Sequence, residues 1–246
     1  MITLAALLTF VLTTVMAMAG VGAAFVLIPV LLALGVELHT AMATALLLNA
    51  VAMAVASVTF VRKRLVAWRL VLPMLALAVI ASPLGVRLAQ HLDRSLLLWL
   101  FVAFLVFASV MMLWYRPNPQ PAQGSTAAAL ALGLPVGAVA GFVGGLLGVG
   151  GGNIIVPALV ASGLEPKRAA ASASFVVLFA SLAGFLTHAT VAQIGTALLV
   201  STAVASAAGA GLGAWLASER LSAEQLKRII AIVLSAVAVK TAWDLL

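Results

Sequence analysis

Apolar runs follow one another along nearly the whole chain, and only short polar loops separate them. They fall at Ile2–Ala19, Thr40–Val61, Leu70–Leu88, Ser95–Tyr115, Ala127–Leu147, Ala169–His188, Thr196–Ala217 and Ile229–Trp243, with two shorter ones at Phe25–Leu34 and Ile154–Ser162. Hydrophobic residues make up 65% of the 246 positions, charged residues 8%, and mean hydropathy is +1.27. A soluble domain is nearer half apolar and a quarter charged, so a water-facing surface cannot be assembled from this chain. A soluble enzyme, a soluble nucleic-acid binder and a disordered tail are excluded. The bilayer must be the solvent. At roughly 20 residues per membrane helix, the length allows about eight to ten segments.

Thirteen Lys and Arg against six Asp and Glu give a net charge of +7. These charges sit at the ends of apolar runs, where the positive-inside bias accounts for them without nucleic acid as a partner. There is no cysteine. A disulfide framework, a thiolate metal site and a cysteine nucleophile are therefore absent. Three scattered histidines and mostly terminal carboxylates form no ligand cluster, so neither metal nor cofactor is expected.

The chain reads as two copies of one unit. A shift of 128 residues carries Gly20, Gly22, Pro29, Gly35, Glu37 and Ala41 onto Gly148, Gly150, Pro157, Gly163, Glu165 and Ala169, and Gly85 onto Gly213. The first repeat is 1–116 and the second 127–246, joined by a Pro-rich linker at 117–126. Ile2–Ala19 lacks a positive n-region and maps onto Leu130–Leu147, so it belongs to the fold and is not a signal peptide.

Charge sets the expected orientation. With the second repeat inverted, the cytoplasmic side takes Arg62, Lys63, Arg64, Arg69, Arg116, Lys167, Arg168, Arg220, Lys227 and Arg228, and the outer side keeps Arg87, Arg94 and Lys240. Parallel repeats would share the basic residues almost equally. The reading is an all-α polytopic membrane protein of two inverted repeats, each with about four long transmembrane helices plus a short broken or re-entrant helix. The linker is then cytoplasmic and both termini lie outside. Phe25–Leu34 gives about 15 Å of helix against a hydrocarbon core of ~30 Å, so the short runs either cross by leaning on neighbours or return as hairpins.

Glycine clusters mark where chemistry can sit. Gly144-Gly145-Leu-Leu-Gly148-Val-Gly150-Gly151-Gly152-Asn153 and its degenerate partner Gly20-Val-Gly22 precede the short runs. Backbone that leaves helical geometry at membrane depth exposes N–H groups, and a following short helix directs its positive dipole end into the gap. Two such breaks, paired by the repeat, make an anion site near the midplane. The competing role for glycines, close helix packing, suits Gly137, Gly141 and Gly145, and Gly209 and Gly213. The candidate substrate-binding residues are Gly20, Gly22, Thr44, Asn49, Gly150, Gly151, Gly152, Asn153, Ser172 and Ser174, with Pro29, Gly148 and Pro157 as helix-break or hinge positions. Each hydroxyl has a competing bond to its own preceding carbonyl. An amide in lipid is costly, which turns Asn49 and Asn153 toward the interior. Arg87 either snorkels outward or lends charge to an anion path. His188, closing an apolar run, reads as a solvated edge before a proton relay, and Glu37 and Glu165 as helix-start charges, with a proton-coupling carboxylate as the alternative.

At these residues the chain resembles the sulfite exporter TauE/SafE family of bacterial membrane permeases. The resemblance rests on Gly148-Val-Gly150-Gly151-Gly152, Pro157, Gly163 and Ala169, with Gly20-Val-Gly22, Pro29, Gly35 and Ala41 as the partner copy, and it spans nearly the whole chain. It departs from the family at Ala23 and Ala24 in the first break, and at Thr44-Ala45 and Ser172-Ala173 after the breaks. The resemblance implies a multi-pass protein of the bacterial inner membrane that exports a small sulfur-containing anion, such as sulfite or an organosulfonate like sulfoacetate, with protons as coupling ion. An anion uniporter or channel built on the same site, and a non-transport assembly protein, are the alternatives. The oligomeric state stays open, a homodimer included. A membrane hydrolase using Ser172 or Ser174 with His188 lacks a nucleophile-elbow frame.

Overall fold

The computed structural model describes residues 2–114, 126–188 and 196–220, together with isolated positions from 222 to 243. Most of the described residues lie in α-helices, and none of them lies in a strand. In chain order they form α1 (Ile2–Met18), α2 (Ala24–Ala33), α3 (Leu38–Arg62), α4 (Trp68–Ala89), α5 (Arg94–Trp114), α6 (Thr126–Leu147), α7 (Gly152–Ala161), α8 (Pro166–His188) and α9 (Thr196–Glu219). Five of them, α3, α4, α6, α8 and α9, are long and apolar enough to cross a bilayer. The chain is thus an all-α, multi-pass membrane protein. Most of the linker at 117–126 and of the last apolar run, Ile229–Trp243, lies outside the described residues, as do the loop 189–195 and both chain ends.

The duplication extends to the helix boundaries. Helices α2, α3 and α4 begin at residues 24, 38 and 68, and α7, α8 and α9 begin 128 residues later, at 152, 166 and 196. The short helices also stop alike. Gly35 (φ +83°) and Gly163 (φ +90°) take left-handed backbone just past α2 and α7. That conformation lets Val36 N–H reach the Leu31 carbonyl (3.0 Å) and Leu164 N–H reach the Leu159 carbonyl (3.1 Å). The next helix then starts on the expected acid at Glu37, whose carboxylate accepts from His39 N–H (3.1 Å) and Thr40 N–H (3.0 Å).

Packing is exchanged between the copies. The most extensive contacts join α4 to α6 and α1 to α9, so the first helix of each repeat lies against the fourth helix of the other. Small residues make these approaches possible. Gly137, Gly141 and Gly145 of α6 lie on the backbone of Met74, Ala78 and Ser82 in α4, with a rising register on both helices, so the two run parallel. Gly209 and Gly213 of α9 lie in the same way on Phe10 and Thr14 of α1. Dispersion and backbone proximity replace the hydrophobic drive that lipid cannot supply.

Helices α3 and α8 are the most buried spans and pack on each other at the centre. They run antiparallel. His39 in the first turn of α3 lies 6.1 Å, ring to ring, from His188 at the end of α8. Halfway along, Asn49 meets Ser181, and just beyond the far end of α3 the Ala67 N–H donates to Ser172 Oγ (2.9 Å) near the start of α8. Flanking helices tie in by matching bonds: Ser82 of α4 donates to the Ala180 carbonyl of α8 (2.8 Å), and Ser206 of α9 to the Leu48 carbonyl of α3 (2.9 Å).

Candidate functional site

Both connections into the short helices are breaks in helical backbone. Gly20 and Gly148 have φ of +68° and +70°, and Gly22 and Gly150 both have +76°. An L side chain pays a steric penalty in this region, so the repeated glycines are what allow the chain to turn. The two breaks differ at one residue. Gly151 (φ +78°) continues in left-handed geometry at the N-cap of α7, whereas its counterpart Ala23, capping α2, has right-handed backbone (φ −99°). The Gly-to-Ala departure visible in sequence therefore gives the two short helices different entries.

The breaks meet. A Cβ added to Gly152 would lie 2.6 Å from Val21 Cα, which places the start of α7 directly on the backbone of the first break. Gly22 abuts the Asn49 carboxamide, and a Cβ on Gly150 would lie 2.5 Å from both Asn49 Nδ2 and Ser181 Oγ. Asn49 Nδ2 donates to Ser181 Oγ at 2.9 Å, bridging the two central helices where the breaks converge.

This junction holds polar groups that the fold does not satisfy. Asn49 is fully buried and its Oδ1 has no partner among the described residues. Asn153, 3% exposed in the first turn of α7, has no partner for either amide atom among the described residues. Among the described residues, the backbone N–H groups of Gly152 and Asn153 also find no acceptor, as expected for the first turn of a helix. A buried unpaired polar group costs about 1–3 kcal/mol, so a cluster of them around one helix N-terminus marks a place for a ligand with complementary polar atoms. Donors from Asn153 and from the α7 backbone, together with the positive end of that helix, suit an anion.

The structure brings together Gly20, Gly22, Asn49, Gly150, Gly151, Gly152 and Asn153, with Gly148 at the same bend and Pro29 and Pro157 inside the short helices that follow. The hydroxyls are engaged elsewhere. Thr44 donates to the Thr40 carbonyl (2.7 Å), Ser174 donates to the Ala170 carbonyl (2.8 Å), and Ser172 accepts from Ala67 N–H. Arg87 is exposed in the last turn of α4, the snorkelling arrangement. Ser181 is the residue that sequence reasoning missed. Its repeat counterpart is Met53, so it belongs to no motif that the two copies share, but its spacing of seven from Ser174 puts both on one face of α8.

His188 requires a correction. It is not a solvated edge: the residue is 1% exposed, and the ring packs toward His39 because antiparallel α3 brings its own first turn over the end of α8. Glu37 behaves as read. Partial burial pushes its carboxyl up, but hydrogen bonds from His39 N–H, Thr40 N–H and the Thr40 hydroxyl outweigh that and hold it below the ordinary carboxylate range.

Comparison with known proteins places the chain. The model of the sulfite exporter TauE/SafE family matches residues 5–241. The "probable membrane transporter protein y4hK" of Sinorhizobium fredii is 29% identical over 219 residues, covering 81% of each chain. Two further similarities are local. "Probable membrane transporter protein YunE" of Bacillus subtilis is 40% identical over 58 residues, 23% of this chain and 21% of that protein. "Sulfite exporter TauE/SafE family protein 1" of Arabidopsis thaliana is 53% identical over 49 residues, 20% of this chain and 11% of that protein. No solved structure matches. The chain belongs to the sulfite exporter TauE/SafE family, a family of membrane transporters and not of enzymes.

Proposed function

We propose that this member of the TauE/SafE family is a secondary carrier that exports a small sulfur-containing anion, such as sulfite or an organosulfonate, across a bacterial inner membrane by alternating access with proton coupling. One observation carries the reading: two glycine breaks converge on Asn49 and Ser181, with the amide of Asn153 buried beside them and unpartnered. A tetrahedral or pyramidal oxyanion supplies several acceptors at once. It would take the Asn153 Nδ2 donor, the free N–H groups at the start of α7 and the Ser181 hydroxyl.

Alternating access is supported by the closure of this junction. Val21 and Gly152 lie backbone to backbone, so an anion enters only when the two repeats part there. The exchanged packing of α1 with α9 and α4 with α6, and the antiparallel run of the equivalent helices α3 and α8, support two inverted repeats that rock against each other. Basic residues gather at the end of α3 and the start of α8, where Arg62, Lys63, Arg64, Lys167 and Arg168 lie. The positive-inside rule makes that end cytoplasmic and the His39–His188 end outer, and both chain termini then lie outside.

The test is flux of labelled sulfite and sulfoacetate in proteoliposomes, with and without an imposed pH gradient. Saturable flux driven uphill by the gradient supports a proton-coupled carrier, with Asn153→Ala abolishing it. Flux that only dissipates its own gradient makes the protein a uniporter or channel. If folded protein moves neither anion, the substrate reading fails.

A further inference from the structure

The pair His39 and His188 has no role in the anion site, and the fold does not explain it. His188 is 1% exposed, yet among the described residues neither Nδ1 nor Nε2 has a partner, and His39 Nδ1 is likewise buried and unpartnered. A neutral imidazole carries one donor and one acceptor, and a structural histidine uses at least one of them. Among the described residues neither nitrogen of His188 is used, and its ring stands 6.1 Å from a second imidazole. Packing alone would be served better by an apolar side chain.

The repeat supplies an internal comparison. The positions equivalent to His39 and His188 are Lys167 and Phe60, at the opposite ends of the same two helices. Phe60 is buried and apolar, and Lys167 reaches toward the Ser218 carbonyl. The two ends of the central helix pair are built alike, but only one carries imidazoles. Among the described residues the surrounding charges are few. Helix α3 contributes Glu37, whose carboxylate is bound to the first turn of that helix. Helix α4 ends on the same side with exposed Arg87, followed by His91, Asp93 and Arg94; His91 Nδ1 is bonded to the Arg87 carbonyl. Helices α6 and α7, which also touch α8, carry no titratable side chain.

We propose that His39 and His188 form a proton-binding site, filled from the water at this end when the ends of α3 and α8 part. A lone pair on a ring nitrogen takes one proton from water, and the imidazolium then needs acceptors on both N–H groups. The closed contact offers none to His188, so the protonated pair holds the ends of α3 and α8 apart, where water and the Glu37 carboxylate serve as acceptors. Loss of the proton lets the ends close. Proton binding and opening at this end are thereby one equilibrium. For the coupling of this site to anion movement, the inference rests on the carrier reading above; the proton binding itself does not.

The chain has three histidines, so 15N-histidine labelling gives three imidazole signals that His39→Gln, His91→Gln and His188→Gln assign. The expected result is that the His39 and His188 signals both report protonation as pH falls from roughly 8 to 4 and that replacing one histidine changes the response of the other. In proteoliposomes, His188→Gln should lose sulfite accumulation driven by a pH gradient while keeping sulfite–sulfite exchange. His39→Gln serves the same purpose if His188→Gln fails to fold. Signals that stay neutral across that range overturn the site, and gradient-driven accumulation intact in both variants overturns the coupling. If the wild type moves neither sulfite nor sulfoacetate, the carrier reading fails and the titration alone decides the histidine pair.

Discussion

Gly22 and Gly35 offer a matched test of the junction. Both have left-handed backbone, at φ +76° and +83°, so alanine at either incurs a conformational cost of about 1–2 kcal/mol. Their surroundings differ. A Cβ on Gly35 would meet nothing within 4 Å, whereas one on Gly22 would overlap the Asn49 carboxamide, lying 2.6 Å from its Cγ and 2.8 Å from Nδ2. Asn49 would have to swing away, giving up its 2.9 Å bond to Ser181 and leaving a fully buried amide unpaired. That adds about 1–3 kcal/mol. Gly35→Ala should therefore lose about 1–2 kcal/mol and transport normally, while Gly22→Ala should lose roughly 2–5 kcal/mol and transport poorly. Unfolding by SDS titration in mixed micelles reads the first quantity and sulfite exchange the second. Adding Asn49→Ala to Gly22→Ala should recover most of the difference, because the double variant removes the group that Cβ strikes. Equal losses for the two single variants, or no recovery in the double, would refute the close approach of the first break to Asn49.

Other consequences can be checked in the same preparations. Asn153→Leu replaces a buried amide that has no partner with a side chain of similar shape, so it should raise stability by about 1–3 kcal/mol while abolishing anion flux; a destabilised or fully active variant contradicts the site. Gly211→Ala in α9 should gain about 0.5–1 kcal/mol, since a Cβ there sits 3.5 Å from Val55 and helical backbone favours alanine. Gly141→Val should block folding, visible as loss of the monodisperse peak in detergent, because α6 rests on the Ala78 backbone at that point. Glu37→Ala should cost about 1 kcal/mol as a lost helix cap. The Glu37 carboxyl is held below its unfolded value, so its stabilisation is present above the ordinary carboxylate range and lost as pH falls through the lowered folded value; acid melting curves of wild type and variant should converge there.

Much of this architecture is legible in the sequence because membrane proteins obey few rules strictly. Run length and hydropathy identify the spans, and the Gly, Pro and Glu positions that recur after 128 residues locate both breaks, both short helices and the starts of the helices that follow. The glycines spaced four apart in α6 and α9 forecast close packing, though not its partners, α4 and α1. Partners depend on three-dimensional exchange between repeats, which no local pattern encodes. The hydroxyls illustrate the opposite failure. Thr44, Ser172 and Ser174 look like cavity residues by position, but a helix always presents a carbonyl four residues back, and Thr44 and Ser174 take it.

What the duplication obscures is whatever one copy does alone. Asn153 stands opposite Phe25, Asn49 opposite Val177, Ser181 opposite Met53, and His188 opposite Phe60. Each is a buried polar group in one half and an apolar one in the other, and all but His188 converge on a single junction. A symmetric carrier would need these groups twice. On the carrier reading proposed above, their single occurrence puts one anion position toward α7, the only short helix entered through consecutive left-handed glycines among the described residues. The glycines shared by the two copies build the two breaks, and the departures between the copies supply the buried polar groups. Reading those departures against a background of matched buried positions would have picked out Ser181 and His188 from sequence, whereas reading either half alone leaves a serine beside a methionine-like face and a histidine at the end of a run.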